Sequence, residues 1–207
     1  MASQPQHPDK RSPSASPSKP GSVRERILET ARASFYREGI RAVGVDTLIA
    51  RSGVAKMSFY RSFRSKDDLV CAYLESSAAE YWRWWDETIR PHEHAPRKQL
   101  RALFAATADK ATSADFRGCP FGNTLVEFPE EGHPARAVIV RFKAERHARL
   151  RELARAAGAR DPERLADQLD IVLEGSRFCS ESARPAACAS GMVRAAETLI
   201  GAETRHG

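Results

Sequence analysis

Apolar residues recur at three- and four-residue intervals along most of the chain, which is the spacing that places side chains on one face of an α-helix. Between Ser22 and Glu38, the residues Ile27, Ala31 and Phe35 lie on such a stripe, and Ser22 is of a type that caps helix N-termini. No segment shows the alternation of apolar and polar residues that is typical of a strand. The pattern therefore predicts an all-α protein.

The same pattern divides the chain into three parts. Residues 1–21 are rich in proline, serine and lysine and have almost no apolar residues, so we expect a disordered basic tail. Residues 22–66 form a head of three short helices. Residues 67–207 form a larger helical body. Here we predict helices at about 66–89, 97–112, 135–157, 162–181 and 185–200, and a short helix within 118–127.

The stretch from Thr47 to Phe63 predicts two short helices that meet at Gly53. Glycine adopts the left-handed conformation at little cost and therefore commonly ends a helix. Phe59 and Phe63 are four residues apart and supply the buried face of the second helix. Its outer face then consists of Lys56, Met57, Ser58, Tyr60 and Arg61. This is the arrangement of a helix-turn-helix, which lays its second helix in the major groove of DNA.

The residues from Ser52 to Leu69 are similar to the DNA-binding signature of TetR-type transcriptional regulators. The upstream segment from Arg26 to Phe35, together with Gly39, resembles the first helix of the same domain. The chain departs from the family pattern at Ile49, Ala55 and Ser62, which affects the base preference rather than the fold. The resemblance implies a homodimer on a palindromic double-stranded DNA operator. The predicted DNA-binding residues are Thr47, Lys56, Met57, Ser58, Tyr60, Arg61 and Lys66.

The excess positive charge is concentrated at the N-terminal end of the chain. The net charge is +6, and the first 75 residues contain 13 lysines and arginines against 8 acidic residues, whereas the remainder contains 20 against 19. This asymmetry favours contact with a nucleic acid, because neutralised phosphates release counterions. From their places in the family signature, Tyr60 and Lys66 are expected to contact phosphate. Lys56, Ser58 and Arg61 are expected to approach base edges or the nearby backbone.

The sequence argues against a membrane protein and against a metal site. It has no run of about 20 apolar residues, and its N-terminus lacks the apolar segment of a secretory signal. The four cysteines lie far apart, and His92 and His94 occupy a proline-flanked loop without a third ligand nearby. We therefore expect a cytoplasmic protein with reduced thiols, without a metal, a cofactor or a membrane partner.

Aromatic residues are concentrated between positions 81 and 128. On residue type alone, they form either a hydrophobic core or the wall of a ligand cavity. Trp82, Trp84 and Trp85 cannot all face the same side of a helix. The family resemblance implies an effector cavity among these helices, and we predict that it is lined by Trp82, Trp85, Phe104 and Phe121. Such a wall suits a largely apolar effector, either aromatic or cationic.

The segment from Gly118 to Glu127 resembles one found in a subset of TetR-type regulators. Its Cys119 is predicted to lie near the N-terminus of a short helix, a setting that favours the reactive thiolate form of cysteine. Cys119 is thus either an inert packing residue or a sensor thiol that responds to an electrophile or an oxidant.

The last two predicted helices combine many small residues with larger apolar ones. Small residues allow helices to approach closely, and the larger residues supply buried area. On the residues alone, these helices form either an internal pair or an interface with a second subunit. The resemblance implies a four-helix interface in a homodimer, for which we predict Leu169, Val172, Val193 and Leu199.

Two other classes of function compete with a regulator. An enzyme would need a nucleophile and a base, such as Cys119 with His133 or His147, but no orienting third residue or oxyanion loop is evident. A structural or adaptor bundle would leave the basic head without a role. We therefore expect a non-enzymatic, ligand-responsive repressor that a small apolar or aromatic effector releases from DNA. The alternative is a redox- or electrophile-sensing repressor that acts through Cys119.

Overall fold

The computed structural model describes residues 21–179 and 182–204, and every regular element within these ranges is helical, as the apolar periodicity predicted. Apart from Gly21, the predicted tail lies outside the described residues. The α-helices are α1 (Val23–Glu38), α2 (Val45–Ser52), α3 (Lys56–Ser62), α4 (Lys66–Ile89), α5 (Pro96–Ala111), α6 (Pro120–Glu127), α7 (Pro134–Ala156), α8 (Pro162–Gly175) and α9 (Pro185–Glu203). Short 3₁₀ turns follow α4 and α8, at Arg90–His92 and Ser176–Phe178.

Local capping residues set the helix boundaries of the head. The Ser22 hydroxyl accepts the N–H of Glu25 (3.2 Å), and the Glu25 carboxylate accepts the N–H of Ser22 in return (2.6 Å), which forms a capping box. Gly53 ends α2 with a φ of +64°, a conformation that other residues adopt only at a cost. The Ser65 hydroxyl caps α4 by accepting the N–H of Asp68 (3.0 Å). These predicted boundaries are confirmed.

Helix α8 is shorter than predicted. It ends at Gly175 rather than near residue 181, and α9 extends to Glu203 rather than to about residue 200. After Gly175 the Ser176 hydroxyl donates a hydrogen bond to the Leu173 carbonyl (2.6 Å), so a side chain occupies a backbone acceptor of the last turn. The chain then tightens into the 3₁₀ turn.

A disulfide joins the end of this turn to α9. Cys179 is bonded to Cys188, with their Cα atoms 5.3 Å apart, whereas Cys71 and Cys119 are free. The expectation of reduced thiols is therefore wrong for the first pair. The spacing of these cysteines carries no motif, and they meet only because the chain reverses direction between α8 and α9.

One hydrophobic cluster joins the head to the first half of α4 and continues into the body. Packing therefore does not stop at the predicted boundary after residue 66. The buried members of this cluster include, in chain order, Ile27, Phe35, Leu48, Phe59, Leu69, Leu74, Phe121 and Phe142.

A second cluster fills the distal part of the body. It is built from the end of α4 and from α5, α7, α8 and α9, and its buried members include Trp85, Leu100, Leu103, Phe104, Leu150, Leu165, Leu169 and Ile200. Helices α4 and α7 contribute to both clusters, so they connect the two ends of the molecule mechanically. Among the described helices, none is long and apolar enough to cross a membrane.

Candidate DNA-binding surface and effector cavity

Helix α3 presents the predicted outer face to solvent. Its anchors are Phe59, which is completely buried, and Phe63 just after the helix, which is almost completely buried. Met57 is 72 % exposed and Tyr60 is 44 % exposed. Of the other predicted residues of this face, Lys56 and Arg61 are exposed and Ser58 is half-buried. An exposed helix of this kind is free to enter a groove of DNA.

The cations of this face have only weak partners. The Lys56 ammonium lies 3.3 Å from the Asp46 carboxylate, and the Arg61 guanidinium donates to the Ser58 hydroxyl (3.1 Å). Exposed pairs of this kind contribute about 0–1 kcal/mol, so phosphates can replace them. Thr47 follows Asp46 in α2 and is also exposed. Contact of these residues with DNA stays a prediction.

Lys66 differs from the other predicted DNA-binding cations, Lys56 and Arg61, because it is half-buried. It is the first residue of α4, at the junction of head and body. Burial lowers the pKa of its ammonium, and the nearby Glu127 carboxylate opposes this effect. Lys66 thus holds its charge beside a carboxylate of the body, and not on an isolated surface of the head.

A cavity of about 510 Å³ lies between the head and the body. Its wall includes residues of α1, α4, α5, α7 and α8 and of the segment that leads into α6. Its aromatic residues are Tyr36, Tyr73, Tyr81, Trp84, Phe116 and Phe121, and its charged residues are Glu29, Arg32, Arg37, Glu80, Lys110 and Arg146. The cavity is therefore amphipathic, with phenol, guanidinium and ammonium groups beside an aromatic surface.

Phe121 is the one predicted cavity residue of four that lines this space. Trp85 and Phe104 are instead buried in the distal cluster, and Trp82 packs between the two clusters, so these three predictions are corrected. The face of α4 that the cavity uses is Tyr73, Ser77, Tyr81 and Trp84. These residues are spaced by four, four and three positions, a helical stripe that the sequence contains and that identifies Trp84 as the cavity tryptophan.

The polar end of the cavity is built around Arg146, which is only 4 % exposed. Its Nε donates to Asp170 (2.7 Å) and its Nη2 donates to Glu174 (2.6 Å), so two carboxylates of α8 hold the guanidinium in place. Although burial by itself lowers the pKa of Arg146, the hydrogen bond and charge of Asp170 raise it above its usual value. Arg146 is therefore a fixed cation of the wall. Phe121 and Phe142 stack beside it with ring centroids 3.7 Å apart.

Cys119 lies at the N-cap of α6 and lines the same cavity, half-buried and free. The backbone before it is tied to α1 by one phenol. The Tyr36 hydroxyl donates to the Gly118 carbonyl (3.1 Å) and accepts the N–H of Arg117 (2.9 Å). Burial raises the pKa of Tyr36, so its hydroxyl remains protonated and keeps both bonds.

A second tie between head and body was missed by sequence reasoning. The Glu127 carboxylate at the end of α6 accepts the N–H of Ile40 through Oε1 (2.9 Å) and the N–H of Arg41 through Oε2 (2.7 Å). Two adjacent backbone donors just after α1 thus share one carboxylate. No local pattern connects residues that lie nearly 90 positions apart, although Glu127 closes the segment that resembles other family members.

The predicted dimer residues occupy different environments on α8 and α9. Leu169 is completely buried within its own chain and cannot contact a partner, so this prediction is corrected. Val172, Val193 and Leu199 are half-buried against the distal cluster. The apolar surface that remains nearby is Ile171, 70 % exposed, and Phe178, 65 % exposed.

The exposed helix α3 of the head follows a glycine turn, and a long helix joins the head to a larger body with a cavity. This arrangement defines the class of helix-turn-helix regulators. Comparison with known proteins narrows this class. The family model "Bacterial regulatory proteins, tetR family" matches residues 27–73, and the model "Tetracyclin repressor-like, C-terminal domain" matches residues 96–195. The chain belongs to the TetR family of DNA-binding transcriptional regulators.

Individual relatives agree with this assignment. The chain is 30 % identical over 159 residues to the transcriptional regulator AcuR of Cereibacter sphaeroides, and the aligned region covers 72 % of each protein. It is 30 % identical over 88 residues to the repressor NemR of Escherichia coli, and this aligned region covers 42 % of this chain and 44 % of NemR. A solved TetR-family regulator from Streptomyces coelicolor has a TM-score of 0.83 and 28 % identity, over 90 % of this chain and 92 % of the other. The predicted family and the all-α fold are confirmed.

Proposed function

We propose that this protein is a cytoplasmic, ligand-responsive repressor that binds a palindromic operator as a homodimer. A small apolar or aromatic effector in the cavity releases the protein from DNA. The observation that carries the proposal is the composition of the cavity wall, because α1 and α4 supply much of it, α1 packs against α3, and α4 shares the hydrophobic cluster of the head. A molecule that binds there contacts a helix that positions the recognition helix and the long helix that joins head and body.

The contacts between head and body support a coupling of this kind. Tyr36 ties α1 to the segment before α6, and Glu127 ties the end of α6 to the residues after α1. An effector that contacts Phe121 therefore displaces α6, a helix that is hydrogen-bonded to the head near both of its ends. By thermodynamic linkage, a ligand that prefers the displaced arrangement must lower operator affinity.

A dimer is needed for this coupling to control DNA binding. Two recognition helices must match half-sites about 34 Å apart, or a multiple of that distance, so a small rotation of each head breaks the register. One recognition helix alone reads too few base pairs for selective binding. We place the partner on the exposed residues of α8 and of the turn that follows, next to the half-buried Val172, Val193 and Leu199.

A gel-shift experiment with the DNA that flanks the gene tests the DNA-binding part. The wild-type protein should shift a palindromic fragment as a dimer. Tyr60→Ala and Lys66→Ala should weaken binding to all sequences, and Lys66→Ala should reduce the slope of log affinity against log salt by about one unit. Wild-type affinity in both variants would show that the assignment of these residues is wrong.

One observation favours a second candidate function, in which the effector is an electrophile or an oxidant. Cys119 is free and lines the cavity beside the segment that Tyr36 ties to α1. Modification of its sulfur would place new atoms in the cavity, next to the segment that is bonded to α1. A thiol-modifying agent should then release operator from the wild type but not from Cys119→Ser. Equal release from both proteins would exclude Cys119 as the sensor.

A further inference from the structure

The cavity wall contains hydrogen-bond donors without acceptors. Arg146 uses Nε and Nη2 for its two carboxylates, and no acceptor for its Nη1 is found among the described residues. The Tyr73 and Tyr81 hydroxyls likewise have no hydrogen-bond partner in the described part of the chain. Arg146 and Tyr73 are 4 % and 3 % exposed, and all three residues line the cavity.

These donors line the cavity, so a molecule bound there can reach them. A hydrogen bond to a donor that is already charged contributes about 1.5–3 kcal/mol. Burial raises the pKa of both Tyr73 and Tyr81, so their hydroxyls remain protonated and can donate at neutral pH. A molecule that supplies oxygen acceptors therefore gains hydrogen bonds at this end of the cavity.

The charged residues of the wall determine whether that acceptor is neutral or anionic. Four of the six are cationic, and Glu80 is already paired with Arg32. The other acidic residue, Glu29, is exposed. The Lys110 ammonium lies 4.0 Å from the centre of the Trp84 ring, and no carboxylate pairs with it in the described residues. Asp170 and Glu174 already pair with Arg146, so among the described residues the wall cations without a carboxylate partner are Arg37 and Lys110.

We infer that the effector is an organic carboxylate with an aromatic or aliphatic body, whose carboxylate binds the free Nη1 of Arg146 and the Tyr81 hydroxyl. The body packs against Phe121 and Trp84, and the charge of Lys110 attracts the anion at the mouth. This inference rests on the proposed function, since it names the chemical class of the effector. It excludes the cationic effector that the tryptophans alone would also permit.

The test compares three molecules of nearly the same shape on the full-length protein: naphthylacetate, naphthylacetamide and naphthylethylamine. Isothermal titration and thermal unfolding measure their binding without DNA. Naphthylacetate should bind at least about tenfold more tightly than the amide, and the amine more weakly still, because only the carboxylate adds a negative charge to its hydrogen bonds with Arg146. Equal or tighter binding of the amide or the amine, or no binding of any of the three at millimolar concentration, would overturn the inference.

Two variants locate the bound group. Tyr81→Phe removes only a hydroxyl and should weaken naphthylacetate binding about tenfold, with a smaller loss for the amide, because a bond to a charged acceptor is stronger than one to a neutral acceptor. Thr107→Val is the matched control, because the Thr107 hydroxyl also borders the cavity but already donates to the Leu103 carbonyl (2.7 Å). An unchanged affinity in Tyr81→Phe, or an equal loss in Thr107→Val, would contradict the assigned site.

Operator binding separates this inference from the function on which it rests. If naphthylacetate binds with the expected preference but leaves operator affinity unchanged, the carboxylate site stands and the proposed switch fails. If neutral or cationic compounds release the operator while the carboxylate does not, the switch stands and the carboxylate inference fails.

Discussion

The head and the cavity are specified by different parts of the sequence. In the head, each boundary depends on residues within a few positions of it, such as Ser22 with Glu25 at the start of α1, or Gly53 at the end of α2. The cavity instead brings together side chains from distant helices, including Arg32, Trp84 and Arg146. A regulator can therefore keep its DNA-binding unit by local rules while its effector site changes with the packing of the body.

The head and the cavity nevertheless share two helices. Helices α1 and α4 belong to the core of the head and to the cavity wall, and Tyr36 and Glu127 bond the two regions across their boundary. This comparison predicts that substitutions in the core of the head unfold it. Changes at the contacts between head and body should instead alter how strongly effector changes operator affinity.

The largest effect is expected from Phe59→Ala. Phe59 is completely buried between the head helices, and truncation of such a side chain costs about 3–5 kcal/mol of the free energy of unfolding. Denaturant unfolding should show this loss, and operator binding should disappear. The control is Met57→Ala on the exposed face, which should change stability by less than about 0.5 kcal/mol while altering operator preference. Equal stability of the two variants would show that the head has no such core.

A charge on the exposed part of α8 should separate the subunits. Ile171→Glu places a carboxylate in the proposed interface, where it would lose its hydration without gaining a partner. Sedimentation velocity should then show a monomer that no longer holds a palindrome tightly. Val140→Glu is the control, because Val140 is similarly exposed but lies on α7. A wild-type protein that is monomeric at micromolar concentration and binds its operator fully would end the dimer proposal.

Removal of the hydrogen bonds of Glu127 should have a smaller effect. It should change the coupling between effector binding and operator affinity more than it changes folding. Glu127→Gln retains the shape but replaces one of two acceptor oxygens by a donor, which leaves the N–H of Ile40 or Arg41 unpaired at a cost of about 1–3 kcal/mol. Amide hydrogen exchange at these two residues should accelerate, and effector should shift operator affinity less than in the wild type. Glu130→Gln is the control, since Glu130 contacts only the exposed Arg41 side chain at this loop. Identical exchange in both variants would argue against the tie.

The smallest effect concerns acid stability of the body. Burial tends to raise the pKa of Glu174, but the hydrogen bond and charge of Arg146, together with Lys143, lower it to about 2. A depressed pKa means that this carboxylate stabilises the fold above its usual pKa of 4.5 and loses that contribution as the pH falls towards 2. The melting temperature of the wild type should fall more steeply in this window than that of Glu174→Gln. Parallel curves would contradict the assignment.

The same difference between local and distant contacts explains which helix ends could be predicted from the sequence. Helix ends at Ser22, Gly53 and Ser65 were predictable because the caps act over three or four residues. The end of α8 was not, because the 3₁₀ turn and the Cys179–Cys188 disulfide depend on how the chain reverses there.

The cavity was only partly predictable for a related reason. Three tryptophans within four positions give no indication, by residue type, of which one faces the cavity. The stripe from Tyr73 through Tyr81 to Trp84 contains that information, but only once the position of α1 and α6 against α4 is known. Leu169 was misassigned in the same way, because a leucine that faces its own core and one that faces a partner have the same helical spacing.

If occupation of the cavity controls operator binding by the head, a substitution that fills the cavity should weaken operator binding without any effector. Ser77 lines the cavity on α4, whereas Ala79 is exposed on the same helix. Ser77→Phe should imitate a bound ligand and lower operator affinity at least about tenfold, while Ala79→Phe should leave it unchanged. Operator affinity equal to that of the wild type in a folded, dimeric Ser77→Phe protein would contradict the account.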